Sequence, residues 1–215
     1  MRFSPCPNQQ QHLCQNLRVF LAYNYDKDKI VAVKIFQKEK YDSKESDAAD
    51  ELIQNEIQSI FVLKYLAYND EELYPYLEME YANMMTLDII AKQPEIQLPS
   101  FTLRALMKQI LEGMRTFHSS GLVHRDIKCD NILLHSPRGS GRVHAKISDF
   151  GFAKKVDLNN KQTYFAGTIP FMSPEQFYEN PIITQKVDIY ALGITFYKLI
   201  THKYPVNERN FKEQG

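Results

Sequence analysis

Hydrophobic and polar positions in the early part of the chain follow the pattern of β-strands. Residues 17–24 (LRVFLAYN) and 30–36 (IVAVKIF) are rich in β-branched and aromatic side chains, and a polar stretch, YDKDK, separates them. Residues 76–81 (YLEMEY) form a third run of this kind. Two such runs joined by a short polar turn are typical of an antiparallel hairpin. The pattern therefore predicts a hairpin and, further along the chain, another strand.

Three longer segments follow the pattern of α-helices. The segment 47–64 carries acidic residues in its first turn, where the helix dipole favours negative charge. The segment 100–121 has apolar residues at positions 103, 106, 110, 114 and 117, and a glycine at position 121 ends it. The segment 185–200 is apolar on nearly all sides, which predicts a central, buried helix.

The order of these elements predicts an α+β fold with two lobes. The strands and one helix come first, and the rest is mainly helical apart from two strand-like runs, NILL (131–134) and AKIS (145–148). We expect a tail over 1–15, a small β-rich N-terminal lobe over 16–82 and a larger helical C-terminal lobe over 84–215. Residues 80–83 would form the hinge. A ligand cleft is expected between the lobes.

Composition and charge narrow the range of functions. Lys and Arg total 26 and Asp and Glu total 26, so no basic field favours nucleic acid. The three cysteines are scattered and lack the spacing of metal ligands, which favours reduced thiols and a cytoplasmic location, with the nucleus left open. The N-terminus lacks the continuous apolar core of a secretory signal, and the most apolar stretch, 187–200, is too short to span a membrane.

A segment in the second half of the chain places charges between two apolar ends. Residues 121–134 read GLVHRDIKCDNILL, with six ionisable or amide side chains in the middle. A plain surface loop would be polar throughout, and a buried strand would not carry so many charges. We interpret the middle as facing a ligand that is itself charged. Further on lies KISDFGFAKK (146–155), and upstream VAVK places Lys34 on a strand.

The combination of HRDIKCDN, DFG and GTIPFMSPE, in this order, resembles the eukaryotic protein kinases of the serine/threonine type. The resemblance extends over about residues 18–204, and together the motifs are highly specific, although each alone would be weak. HRDIK with DFGFAKK is similar to the autophagy-initiating kinases, and SPE is similar to the NIMA-related ones. The family implies ATP and Mg²⁺ as cofactors and a protein as substrate.

The resemblance implies a role for each charged side chain of these motifs. Asp126 would accept or orient the proton of the substrate hydroxyl, and Lys128 would neutralise the moving phosphoryl group. Asn131 and Asp149 would hold Mg²⁺ through oxygen atoms. Lys34 would bind the α- and β-phosphates. In this family, Lys at position 128 and Thr at position 168 mark serine/threonine rather than tyrosine specificity.

The resemblance also implies an adenine pocket and a stack of buried side chains. Val19, Ala32 and Leu133 would enclose the adenine, and Met79 would close the back of the pocket. The backbone groups of Glu80 and Ala82 would hydrogen-bond the base. Ile60, His124 and Phe150 would stack in the active state. Asp188 would hold the backbone around His124.

Lys34 requires a carboxylate partner from the helix 47–64, and two glutamates are available. At 100° per residue, the large apolar side chains of this helix cover an arc of about 140°: Leu52, Ile53, Ile57, Ile60, Leu63. Glu56 falls inside this arc, whereas Glu51 lies opposite. A carboxylate in an inward stripe needs a cation, while an outward one needs only water. The sequence therefore favours Glu56 as the partner.

Arg125 beside Asp126 predicts regulation by phosphorylation. In relatives with this pair, the arginine binds a phosphate on the activation loop through charge-assisted hydrogen bonds. Between DFG and SPE, the best-placed hydroxyls are those of Thr163 and Tyr164, with Thr163 preferred. The modifying enzyme would be an upstream kinase or a second copy of this chain.

Three departures from the family keep a second function open. HLCQNLRV stands where a glycine-rich loop is expected, and the stretch from Glu56 to Met79 is short. Family members also continue through further helices, so the C-terminal lobe is expected to be incomplete. The alternative to an enzyme is a kinase-like scaffold without turnover. A small-molecule kinase is disfavoured, because GTIPFMSPE resembles the segment that docks peptides.

Overall fold

The computed structural model describes residues 3–5, 12–14, 17–55, 58–70, 73–95, 97–156, 166–179 and 181–205. The strands are β1 (Phe3–Pro5), β2 (His12–Cys14), β3 (Leu17–Asn24), β4 (Lys29–Ile35), β5 (Tyr65–Asn69), β6 (Tyr76–Glu80), β7 (Leu122–Val123), β8 (Ile132–His135), β9 (His144–Ile147) and β10 (Lys154–Lys155). The α-helices are α1 (Lys44–Gln54), α2 (Asp88–Ala91), α3 (Ser100–Ser119) and α4 (Lys186–Thr201). Short 3₁₀ helices lie at Lys38–Lys40, Cys129–Asn131, Ile169–Phe171 and Pro174–Phe177.

The first half of the chain forms an antiparallel sheet in the order β1-β3-β4-β6-β5, with β2 also paired to β3. The hairpin β3–β4 and strand β6 confirm the strands predicted at 17–24, 30–36 and 76–81. Side chains alternate between the two faces of a strand. In β4, Val31 and Val33 are buried in a small apolar cluster, so Ala32 and Lys34 lie on the opposite face.

Two short strands extend this sheet into the segment for which the sequence predicts a tail. β1 pairs with the end of β3, from Phe3 opposite Asn24. β2 pairs with its beginning, where Cys14 lies opposite Leu17. Only two residues therefore connect β2 to β3, at the place where the family has its glycine-rich loop. The division of the chain into lobes at residues 80–83 stays a prediction.

Helix α1 differs from the prediction at both ends, because it runs from Lys44 to Gln54 rather than over 47–64. The reason is a contact distant in sequence. The Ile147 N–H donates to the Phe61 carbonyl at 2.9 Å, and the Leu63 N–H donates to the Ile147 carbonyl at 2.8 Å. These bonds hold the chain around Val62 alongside β9, which prevents a helical conformation there.

The short stretch before β6 still accommodates a strand. The sequence indicated that this segment would be compressed, and β5 nevertheless pairs with β6 over Tyr65–Asn69. The register shifts between Tyr65 and Ala67. Strand β5 therefore forms in spite of the short connection, with one extra residue of β5 accommodated as a bulge opposite β6.

The second half of the chain is mainly helical, as predicted. Helix α3 buries the expected stripe, including Leu106, Ile110, Met114 and Phe117. The chain then turns back at Gly121, whose φ of 80° lies in the left-handed region that favours glycine. β8 and β9 form the hairpin expected from NILL and AKIS.

Helix α4 confirms the helix predicted at 185–200 but is buried on one side only. Val187, Leu192 and Leu199 are buried in the core, whereas Tyr197 and Ile200 are exposed. The prediction of a central, buried helix is therefore confirmed for one face of α4, and the opposite face is exposed. None of the helices in the described ranges is both long enough and apolar enough to cross a membrane.

One hydrophobic core joins the two halves of the molecule. It includes Leu52 of α1 and Leu77 of β6 from the first half, and Ile110, Ile147 and Leu192 from the second. Because the core is continuous, side chains from β4, α1 and β6 have fixed positions relative to the loops around residues 126 and 149. These side chains form the candidate site.

Candidate catalytic site

Asp126 is the centre of a cluster in the loop between β7 and β8. Its carboxylate is 3% exposed and accepts hydrogen bonds at both oxygens. Thr168 Oγ1 donates to Oδ1 at 2.7 Å, and Lys128 Nζ donates to Oδ2 at 2.8 Å. Asn131 Nδ2 also donates to Oδ2 at 2.9 Å, and to the Asp126 carbonyl at 2.8 Å. The structure thus brings together Asp126, Lys128 and Asn131, which the sequence singled out for the catalytic loop, and Thr168 is the fourth member of the cluster.

The backbone of this loop is held by Asp188 from α4. Asp188 is fully buried, and its carboxylate accepts the backbone N–H groups of His124 and Arg125, each at 2.8 Å. His118 Nε2 lies 2.8 Å from the same carboxylate. Arg125 has a φ of 70°, a left-handed conformation that is costly for a residue with a side chain. The expected role of Asp188 at this turn is confirmed by the geometry.

Gly167 explains how Thr168 reaches Asp126. A Cβ atom at position 167 would lie 2.5 Å from the Arg125 carbonyl oxygen, and the φ of this glycine is 118°. Only glycine fits such a close backbone approach in this conformation. The segment that follows is therefore pressed against the Asp126 loop.

A second cluster links the two halves of the molecule through Lys34. Lys34 Nζ lies 2.7 Å from Glu45 Oε2 in α1 and 3.1 Å from Asp149 Oδ1. Burial alone would lower the pKa of Lys34, but the negative charges of Glu45 and Asp149 raise it overall. For Asp149, partial burial alone would raise the pKa, but the positive charge of the Lys34 ammonium lowers this pKa overall. Lys34 is therefore a cation and Asp149 a carboxylate near neutral pH.

The carboxylate that pairs with Lys34 belongs to Glu45, not to the predicted partner Glu56. Glu56 lies outside the described residues, and α1 ends before it at Gln54. Glu45 is 4% exposed and shares the buried face of α1 with Ala48, Ala49 and Leu52. The spacing 45, 48, 49 and 52 is that of one helical face. Counting the two alanines as apolar would have revealed this face.

The expected adenine-pocket residues lie around the same face of the sheet as Lys34. Val19 pairs with Lys34, and Ala32 pairs with Met79, so all four side chains share one face. Met79 is buried and Val19 is 37% exposed. Leu133 of β8 packs, like Ala32, against the main core.

The segment after β6 is attached to the β8–β9 hairpin. Glu80 Oε1 accepts hydrogen bonds from Lys146 Nζ at 2.9 Å and from the Lys64 N–H at 2.8 Å. The Glu80 N–H donates to the Lys64 carbonyl, and Ala82 follows half-buried. Asn83 Nδ2 donates to the Ser136 carbonyl at 2.7 Å. The backbone around Glu80 and Ala82, which is expected to bind the adenine base, is therefore held in position.

A stack of rings connects the catalytic loop to the segment 149–151. The Phe150 ring centroid lies 5.6 Å from that of His124, edge to face, and 5.1 Å from that of Phe117. The prediction that Ile60 is the third member of this stack was wrong, because the Ile60 side chain is 55% exposed in the turn after α1. Tyr65 of β5 contacts Phe150 instead, at 5.1 Å.

Cys129 lies inside the catalytic loop but is chemically inert. Its side chain is fully buried, and burial raises the pKa of its thiol to about 12. The thiolate, which is the reactive form, is therefore scarce at neutral pH.

The predicted phosphate acceptors, Thr163 and Tyr164, lie outside the described residues, so phosphorylation there stays a prediction.

Comparisons with known proteins agree with this geometry. A family model described as protein kinase domain matches residues 16–215. The chain is 40% identical over 110 residues to sperm motility kinase 3A of Mus musculus, covering 51% of this chain and 21% of that protein. It is 33% identical over 143 residues to the serine/threonine-protein kinase Pkn1 of Myxococcus xanthus, covering 65% of this chain and 20% of that protein.

A third relative matches nearly the whole chain. It is a Dictyostelium discoideum protein named "Probable serine/threonine-protein kinase", 31% identical over 199 residues, covering 90% of this chain and 42% of that protein. The chain thus spans less than half the length of each of these relatives. Together with the match of the family model over most of the chain, the site defines its class: the chain belongs to the protein kinase family.

Proposed function

We propose that this chain is a serine/threonine protein kinase that transfers the γ-phosphoryl group of Mg·ATP to a hydroxyl group of a protein. The observation that carries the proposal is the junction of two clusters. One is centred on Asp126, and the other is the Lys34–Glu45–Asp149 triad. Phosphoryl transfer depends on positioning and charge neutralisation more than on covalent help from the protein.

Asp126 is the group that would take or orient the substrate proton. Its two oxygens are held by Thr168, Lys128 and Asn131, all of which donate to it, so a hydroxyl approaching the cleft meets a fixed acceptor. Lys128 places its positive charge beside this point, where it offsets charge on the transferred group. The distances in this cluster support general-base or orienting catalysis.

Lys34 would bind the phosphates, and Glu45 would hold its ammonium group for this task. The ammonium lies on the inner face of β4, and the two carboxylates within 3.1 Å fix its direction. A long, flexible lysine side chain loses less freedom on binding a ligand when its position is already set. The order of the Lys34 side chain therefore supports nucleotide binding.

The residues present fit a bound Mg²⁺ ion. Asp149 retains an oxygen that Lys34 does not contact, and its side chain is 45% exposed. Asn131 uses its Nδ2 group on Asp126, which leaves Oδ1 as the remaining polar atom of its amide. Mg²⁺ is commonly bound by one or two such oxygen ligands together with substrate phosphates. When bound, the ion would neutralise charge on the phosphates.

The adenine would lie between side chains of the two lobes. Val19 and Ala32 above, Leu133 below and Met79 at the back offer apolar surface to the base. The backbone of Glu80 and Ala82 would supply hydrogen bonds. The attachment of this segment to β8 and β9 supports a pocket that is formed before the nucleotide arrives.

Serine and threonine are the proposed acceptors because Thr168 brings the following segment close to Asp126. Thr168 Oγ1 contacts both Asp126 and Lys128, at 2.7 Å each. In the family that this chain belongs to, a lysine at position 128 and a threonine at position 168 mark serine/threonine specificity, and here the two side chains are in contact. We expect ³²P from labelled ATP on a peptide with one serine, and none on the matched peptide with tyrosine. Preferential labelling of the tyrosine peptide would contradict the assignment.

Glu45→Gln should lower kcat/KM for ATP by about ten- to a hundredfold, because it removes the charge that holds Lys34. Glu51→Gln is the matched control, since Glu51 lies in the same helix and pairs with Lys155 at 2.9 Å instead. Steady-state kinetics at varied ATP concentration measures the effect. A normal value for Glu45→Gln, or an equal loss in the control, would show that Glu45 does not serve Lys34.

A further inference from the structure

Tyr65 occupies a position between helix α1 and the segment 149–151. It is 5% exposed, and its ring packs against Phe150 with the two planes tilted by 35°. Phe150 in turn contacts His124 of the catalytic loop. The Tyr65 ring is therefore part of the stack that supports both the catalytic loop and Asp149.

The hydroxyl group of Tyr65 makes a contact that packing does not require. It donates a hydrogen bond to Glu45 Oε1 at 2.7 Å, while the other oxygen, Oε2, binds Lys34. Burial, and then the charge of Glu45, raise the pKa of Tyr65 well above its ordinary value, so the hydroxyl keeps its proton to donate.

The hydrogen bond to Glu45 and the ring contact with Phe150 join elements that are distant in sequence. Glu45 belongs to α1, and Phe150 follows the proposed magnesium ligand Asp149. A buried hydroxyl is costly unless it is hydrogen-bonded, so the Tyr65 hydroxyl is satisfied only when α1 is in place, while its ring is packed only when the segment 149–151 is in place. If α1 moved away, the hydroxyl would lose its partner in a nonpolar environment.

We propose that Tyr65 is a positioning residue that couples α1 to the segment 149–151, holding Glu45 for Lys34 and Phe150 beside Asp149 at the same time. This inference rests on the proposed kinase activity, since it assigns Tyr65 to the assembly of that site. The ring packs against Phe150, and the hydroxyl holds Glu45. A phenylalanine at this position would keep the first property and lose the second.

The variant Tyr65→Phe separates these two properties. We expect kcat to fall about tenfold, the effect of one lost buried hydrogen-bond network, while KM for the peptide stays unchanged. Tyr68→Phe is the matched control, because Tyr68 lies on the same strand and donates its hydroxyl to Asp50 at 2.8 Å, near the surface. An unchanged or raised kcat for Tyr65→Phe, or an equal loss for Tyr68→Phe, overturns the proposal.

A double-mutant cycle tests whether Tyr65 acts through Glu45. If it does, Tyr65→Phe lowers kcat much less in a Glu45→Gln background than in the wild-type protein. A purely structural effect of Tyr65 would instead multiply with that of Glu45→Gln. Full multiplicativity therefore contradicts the proposal.

Hydrogen exchange distinguishes a failure of this inference from a failure of the proposed function. Backbone amides of Lys44–Gln54 and of Phe150 should exchange faster in Tyr65→Phe than in the wild-type protein or in Tyr68→Phe. This measurement does not depend on turnover, so it remains decisive if the wild-type chain transfers no phosphoryl group. Unchanged exchange in both segments would show that the Tyr65 hydroxyl does not couple them.

Discussion

Asp126→Asn should lower kcat for phosphoryl transfer by about 10²–10⁴-fold, the usual cost of removing a catalytic acid–base group. The substitution keeps the size of the side chain but removes the carboxylate that accepts from Thr168 and Lys128. An amide has one oxygen acceptor, and its nitrogen would face a donor. The groups proposed to bind ATP are left intact, so KM for ATP should change little.

Steady-state kinetics with a serine peptide measures this effect. Asp130→Asn is the matched control, because Asp130 lies in the same loop but is exposed. The control should retain the wild-type kcat. A loss in Asp126→Asn that appears in KM for ATP rather than in kcat would mean that Asp126 serves binding and not the chemical step.

Asp188→Asn should lower the free energy of unfolding by about 3 kcal/mol, because it disrupts several charge-assisted hydrogen bonds in the protein interior. Asp188 is fully buried and accepts the backbone N–H groups of His124 and Arg125 as well as contacting His118. An asparagine would turn its NH₂ group toward one of these donors. The left-handed turn at Arg125 would then lack the partner that holds it.

Urea unfolding followed by circular dichroism gives this free energy. The variant Asp130→Asn is the reference, because it makes the same change from carboxylate to amide at an exposed position. Its free energy of unfolding should stay close to that of the wild-type protein. Asp188→Asn should also lose activity under conditions in which it remains folded, since the loop that carries Asp126 is no longer held. A stability equal to that of the reference would contradict the account of this turn.

Local patterns were sufficient to predict most of the strands and helices. The hairpin β3–β4 was predicted from its β-branched and aromatic residues and its polar turn, and helix α3 from a periodic stripe that is buried from Leu106 to Phe117. Motif spacing likewise placed Asp126, Lys128 and Asn131 together, and the structure shows them within hydrogen-bonding distance. Residues close in sequence within one loop are the easiest to place.

The features that sequence reasoning missed depend on contacts between distant parts of the chain. Helix α1 ends early because residues near Val62 pair with β9, which no local pattern indicates. The end of α1 in turn decides which glutamate meets Lys34. Glu45 was overlooked because its face of the helix is lined by the small residues Ala48 and Ala49.

Tyr65 illustrates the same limit for a single side chain. In the sequence it lies in a mostly apolar stretch, FVLKYLAY (61–68), where an ordinary core position is the natural interpretation. Its importance comes from Glu45 and Phe150, which lie 20 residues before it and far after it along the chain. Only the assembled fold shows that one side chain contacts both.

We expect the chain to transfer phosphoryl groups in spite of the short, glycine-free connection between β2 and β3. Transfer of ³²P from Mg·ATP to a basic protein by the wild-type chain, beside Asp126→Asn, tests this expectation. Incorporation should require Mg²⁺ and disappear in the variant. Equal background from both proteins, each shown to be folded by a cooperative thermal transition, would contradict it and indicate a kinase-like scaffold.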